Sequence, residues 1–193
     1  LDGEEISTWS VRRRREARIG YVPEDRHRRG LLLDAPLWEN AMLGHQTMEP
    51  FARGPLLDRG RSREATTRIV KDFDVRTPSI DTSARALSGG NQQKLVIGRE
   101  MAASPRLLIA AHPTRGIDVG AQAAVWEELR TARRNGLALL LVSADLEELL
   151  GLADRLVVML RGRVVAELDP GTTTPRQLGG YMTGAEDVTG DKE

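Results

Sequence analysis

Leu87-Ser88-Gly89-Gly90-Asn91-Gln92-Gln93-Lys94 stands directly in front of a stretch with helical spacing, and its residue types suit one chemistry. A serine at this place caps a helix, two glycines let a ligand approach the backbone, and the N–H groups of a first helical turn have no partners within the helix. Together they make a cradle for an anion such as phosphate. Ser-Gly-Gly alone is also what an ordinary capped helix after a Gly-Gly loop looks like, so the octet is weighed with the rest of the chain.

Other chemistries are narrowed by what the chain holds. With no cysteine, there is no disulfide framework, thiolate metal site or cysteine nucleophile. A phosphate loop of the form Gly-x-x-x-x-Gly-Lys-Ser/Thr needs a lysine behind a glycine, and Lys71, Lys94 and Lys192 all follow other residues. His112, with Asp118 downstream, is a candidate base near neutral pH, against a satisfied loop histidine as the plainer reading. Arg12 to Arg15, with Arg18, Arg26, Arg28 and Arg29, form a basic cluster. The 28 basic side chains are balanced by 28 acidic ones and aromatics are only 4%, so a solvated face is favoured over a nucleic-acid surface. With 40% hydrophobic and 29% charged residues the composition is that of a soluble globular chain. The aliphatic run Leu137 to Val142 is too short for a membrane helix, and no signal-peptide core is present at the start.

The elements that must position these residues follow from periodicity and punctuation. Ile19 to Pro23 reads as a strand closed by proline, Glu24 to Gly30 as a charged turn, Leu37 to Leu43 as a helix, and 49–61, rich in Pro and Gly, as a loop. Helices are expected over Ser62 to Phe73, Asn91 to Ala103 and Val119 to Arg134, the last stopped by Asn135-Gly136. Leu107 to Ala111 and Leu137 to Ser143 read as strands of a βαβ unit, and Leu156 to Leu160 with Arg163 to Leu168 as a hairpin about Arg161-Gly162. The first residues read as a polar, Arg-rich strand-and-turn region, and the tail after Met182 as frayed. Trp126 reads as a core residue, and Trp38 either as core or as part of a partner groove. The coarse picture is an α/β layer built by both ends of the chain around a mostly helical insertion at 37–103.

Two further strings give the octet its context. Arg106-Leu-Leu-Ile-Ala-Ala-His-Pro-Thr-Arg-Gly-Ile-Asp-Val-Gly-Ala-Gln-Ala123 follows at the distance where the ATP-binding cassette family places its Walker B strand and D-loop, and Tyr21-Val-Pro-Glu-Asp-Arg26 lies where that family has its Q-loop. Over nearly its whole length the chain resembles the second cassette of the ATP-binding subunits of bacterial simple-sugar and nucleoside importers. The resemblance implies an α/β, P-loop NTPase-like cassette, with a parallel sheet layer and a helical signature subdomain but without the Walker A part. It divides the chain into a partial core with the Q-loop at 1–36, a signature subdomain at 37–103, a core with Walker B, D-loop and switch region at 104–183, and a tail at 184–193. It also implies that the Walker A motif lies upstream of Leu1, in a longer protein with another cassette fused N-terminally.

Carried over residue by residue, the resemblance implies a degenerate site. The Asp-Glu pair that serves Mg²⁺ and the attacking water falls on Ala111 and His112, the switch histidine on Ala144, and the Q-loop glutamine on Glu24. No metal site of its own is expected. Ser88, Gly89, Gly90 and Gln92 would then reach the γ-phosphate of an ATP held, with its Mg²⁺, by a second cassette, and Asp118 would lie across the seam between the two. The implied partners are that cassette and transmembrane permease subunits, with no nucleic acid, on the inner face of the plasma membrane; Leu31 to Ala41 would help form the groove for a permease helix. Two alternatives stand beside this reading: an autonomous nucleotide hydrolase using His112, and a non-transport cassette that bridges subunits or nucleic acid.

Overall fold

The computed structural model describes residues 1–185 in two compact units, Leu1–Leu140 and Leu141 onward. The first unit opens with α1 (Val11–Glu16), capped by Ser10, where the sequence reads as strand and turn. That helix buries no residue, so its six positions carry no apolar period; it is held by its cap and by Arg13 stacked 4.0 Å over Trp9. Strand β1 (Ile19–Val22) follows, then a π-helical turn at Arg26–Gly30 and α2 (Leu37–Met42).

The helical segment continues through a small hairpin, β2 (Ala52–Arg53) with β3 (Leu56–Leu57), inside the stretch expected to be loop. Helix α3 (Arg59–Asp72) starts three residues before its expected position, because Asp58 caps it through the N–H of Arg61 and Gly60 is carried in the first turn. A 3-10 turn at Ala84–Ala86 leads to α4 (Gly89–Ala102). Helices α3 and α4 meet closely at Gly98: a Cβ there would lie 2.8 Å from Phe73 Cδ2 and 2.9 Å from Ile69 Cγ2. Gly98→Val is therefore expected to lower stability by about 2–3 kcal/mol through overpacking, read as a fall in the urea midpoint at unchanged slope.

Strands β4 (Leu107–Ala111) and β5 (Ala138–Val142) frame α5 (Val119–Arg134), and the sheet order is β1-β4-β5. β1 and β4 pair in parallel, Ile19 opposite Leu107 through Val22 opposite Ala110, so chain from before and after the helical segment closes one layer. Ala121, Val125, Leu129 and Ala132 bury one stripe of α5, and Gly136, at φ +92°, ends it. Trp126 lies beside that stripe, half-buried, rather than inside the core.

The second unit contains α6 (Leu146–Leu152), the antiparallel pair β6 (Leu156–Leu160) and β7 (Arg163–Leu168), and α7 (Pro175–Thr183). The hairpin turns through Arg161 and Gly162, both at positive φ, and Leu156, Val158 and Leu178 form a small core. Thr174 and Gln177 close a capping box at the start of α7, with Pro175 in its first turn and Gly184 beyond its end. The tail expected to fray after Met182 falls largely at 186–193, outside the described residues. Among the described residues no helix is long and apolar enough to cross a membrane.

Candidate functional site

Three loops of the first unit converge on the N-terminus of α4. Ser88 Oγ caps that helix, accepting from the Asn91 backbone N–H at 3.4 Å and from Asn91 Nδ2 at 3.0 Å, so its own hydrogen remains free to donate outward. The N–H groups of Gly89 and Gly90 have no acceptor among the described residues. Ser88 is exposed and Gly89 half-exposed, whereas Gly90 is covered, its missing Cβ leaving room for Ala121 Cβ at 2.8 Å.

The second loop is the turn after β1. Asp25 stabilises it by accepting from the N–H groups of His27 and Arg28, and its neighbours Glu24 and Arg26 both reach across to the third loop, 112–118. Glu24 forms an ion pair with Arg115. Arg26 donates from Nη1 to the Arg115 carbonyl at 2.8 Å, from Nη2 to the Gly116 carbonyl at 3.0 Å, and from Nε to Gln92 Oε1 at 3.3 Å. Burial holds the Arg26 guanidinium below the usual arginine range, partly offset by the charge of Asp25. Gln92 itself is buried: its amide nitrogen donates to the Ala84 carbonyl, and its oxygen also faces His27 Nε2 at 2.8 Å.

At the end of β4 the arrangement holds no metal chemistry. Ala111 offers no ligand atom, and the His112 side chain, at φ +47°, makes no hydrogen bond or ion pair with any described residue. Asp118 is not drawn to it; its Oδ1 caps α5 by accepting from Ala121 N at 2.9 Å. No group of three or more His, Cys, Asp or Glu side chains able to hold a metal occurs among the described residues. These residues do not fit a resident Mg²⁺. In the second unit, Ala144 is exposed just before Asp145, which caps α6.

The far end of α4 is anchored by charge. Glu100, fully buried, accepts from the N–H of Tyr21 in β1 at 3.0 Å and pairs with Arg15 and Arg99. Arg99 also donates to the carbonyls of Gly30 and Asn40. Burial pushes the Glu100 carboxyl up, but His45, Arg99 and Arg15 outweigh it and hold it at about 2. Beside this cluster lies a cavity of about 810 Å³ whose wall includes Arg15, His45, Phe51, Ile69, Phe73 and Glu100. Leu31 to Ala41 lies outside that wall; buried Asn40 ties the segment to itself through Leu32, Ala35 and Pro36.

The architecture matches solved structures. The TM-score is 0.71 with an ATP-binding cassette in a dimeric post-hydrolysis state bound to ADP and Pi, covering 88% of this chain and 72% of that one at 20% identity. It is 0.69 with the ADP conformation of a cassette of an ABC transporter, covering 95% and 71% at 18% identity. In sequence, 96% of the chain aligns at 44% identity with 36% of the guanosine import ATP-binding protein NupO of Bacillus subtilis. The nucleoside import ATP-binding protein NupA of Lactococcus lactis aligns at 39% over 95% of this chain and 36% of its own length. A ribose import ATP-binding protein, RbsA 1 of Rubrobacter xylanophilus, aligns at 38% over 98% and 38%. The chain belongs to the ATP-binding cassette family. It spans little more than a third of the length of these relatives, and no family model matches it.

The turn after β1, the start of α4 and the 112–118 loop are one connected cluster, in which the strings Pro-Glu-Asp-Arg and Pro-Thr-Arg-Gly-Ile-Asp meet through Glu24, Arg26, Arg115 and Gly116. Two expectations are corrected. Gln92, expected at a phosphate, is enclosed and spent on Arg26, His27 and Ala84. The solvated face expected for the arginine cluster holds for Arg12, Arg13, Arg18, Arg28 and Arg29, which are exposed, Arg12 and Arg13 pairing with Glu16 and Glu4, but not for half-buried Arg26 or for Arg15, which pairs with buried Glu100. Arg26 is the site residue that sequence alone misses, because two of its three partners are backbone carbonyls, which leave no signature in residue type.

Proposed function

We propose that the cassette is the coupling half of an importer motor for nucleosides or simple sugars, active as part of a longer subunit on the cytoplasmic face of the membrane. It presents Ser88, Gly89 and Gly90 to the γ-phosphate of an ATP whose Mg²⁺ and phosphate loop belong to a second cassette. Asp118, exposed at the start of α5, faces the seam, and Glu24 transmits through Arg115. Leu31 to Ala41 helps form the groove for a short permease helix. The observation that carries this reading is the α4 N-terminus: an outward hydroxyl and two free N–H groups stand ready for an anion, in a chain that has no lysine loop and no Mg²⁺ carboxylate. The relatives' names, guanosine, nucleoside and ribose import, support the solute class. An autonomous hydrolase has no support in the geometry of His112.

The chain has no cysteine of its own, so Ser88→Cys gives a unique probe within it. In the assembled transporter, ATP under non-hydrolysing conditions is expected to shield Cys at that position from a thiol reagent, with ADP restoring the labelling. Equal labelling with and without ATP overturns the reading.

A further inference from the structure

We infer that Arg26 is a positioning residue that locks the signature loop and the 112–118 loop into one rigid body. The inference rests on the proposed function. The fork of the guanidinium spans the consecutive carbonyls of Arg115 and Gly116, while its Nε holds Gln92 in α4, so one side chain ties two loops that the sequence separates by more than twenty residues. A primary amine at this place has neither the plane nor the reach to hold two carbonyls and an amide oxygen at once.

The glycines around it fit the same reading. A Cβ on Gly89 would lie 2.8 Å from Arg26 Nη2 and 3.1 Å from the Gly116 carbonyl oxygen. Gly116 adopts φ +69°, the left-handed backbone that a side-chain-bearing residue rarely takes, and a Cβ there would meet the same guanidinium at 3.7 Å. Gly89 is therefore glycine in part because Arg26 occupies the space above it, beyond any need of a phosphate. Around Arg26 the anchoring is duplicated: Glu24 pairs with Arg115 from one side, and His27 reaches Gln92 Oε1 from the other. The consequence is mechanical. Whatever moves the Q-loop moves the signature loop and the loop before α5 together.

The test is a double-mutant cycle in the assembled transporter, read as ATP turnover. Arg26→Lys is expected to lower kcat about tenfold with the KM for ATP unchanged, since the nucleotide is held by the other cassette. Gly89→Ala, which displaces the guanidinium from Gly116, is expected to do the same. The double variant is expected to be no worse than Arg26→Lys alone. As a second measurement, Arg26→Ala is expected to regain part of its turnover when guanidinium is added at sub-denaturing concentration, which a merely misfolded subunit does not do. Multiplicative losses in the cycle, or no guanidinium rescue, overturn the inference. If Ser88→Asp silences the motor at the same time, the proposed function survives that failure. If Ser88→Asp turns over normally, the proposed function falls and takes this inference with it.

Discussion

Glu100→Gln is expected to destabilise the protein by about 3–5 kcal/mol, although it changes neither the volume nor the shape of the side chain. The carboxylate sits with no exposed surface between Arg99, 3% exposed, and Arg15, 16% exposed, and it receives the N–H of Tyr21. Removing its charge leaves the Arg15 and Arg99 guanidiniums and His45 without their shared carboxylate at the cavity wall, which is the costly way to break a buried pair. The displacement of its pKa from 4.5 to about 2 supports the magnitude, being worth about 3 kcal/mol. The sign with pH follows from that direction. The folded form holds its proton more weakly than the unfolded one, so the stabilisation is complete above the unfolded value of 4.5 and is lost as pH falls toward 2. Urea titrations at pH 7 and pH 3 are expected to show the gap between parent and variant narrowing at the lower pH. A gap of the same size at both values contradicts the assignment.

Much of this framework is legible because burial writes a period into the sequence. Val119 to Arg134 and Leu107 to Ala111 show their buried stripe directly, and Asn135-Gly136 marks the stop. The parallel closure of β1 on β4 is legible from the order strand, helices, strand. Helix α1 is not, because a helix that buries nothing has no stripe to read. Helix α7 carried a readable signal, Thr174 and Gln177 with Pro175 between them, which the apolar pattern of nine residues is too short to reinforce. Ser88 and the two glycines announce a capped helix start by residue type. What residue type does not disclose is occupancy: Gln92 has the same chemistry whether it meets a phosphate or a guanidinium, and only the packing of Ala84, His27 and Arg26 around it decides.

Charge and hydrogen bonds anchor α4, a helix of modest amphipathicity, at both ends. At one end Arg26 and Gln92 fix it to the loops around Glu24 and Gly116; at the other, Arg99 and Glu100 fix it to Gly30, Asn40 and Tyr21. Hydrogen bonds to charged groups at both ends resist sliding more than apolar contact does, because a small shift leaves a buried charge without its partner.

Ser88→Asp separates folding from function at the signature position. Aspartate caps a helix as well as serine does, and its charge suits a helix N-terminus, so the melting temperature is expected to stay within a degree or two of the parent or to rise. Ser88→Ala, which loses the bond from Asn91, is expected to cost about 1 kcal/mol. Turnover in the assembled transporter is expected to rank the other way. A carboxylate about 4 Å from a phosphate oxygen at an effective dielectric of about 20 is repelled by about 4 kcal/mol; solvent at this exposed residue weakens that, and a loss of about 100-fold is expected. Under the proposed function, ATP binding by the other cassette is expected to persist, because the substitution does not touch that cassette. Ser88→Ala, which removes one donor and adds no charge, is expected to lose only about tenfold. Thermal melts and turnover for the two variants thus have opposite orders if the loop meets a phosphate. If turnover instead follows the melting temperature, with aspartate the better of the two, Ser88 is a helix cap and the anion cradle is empty of function.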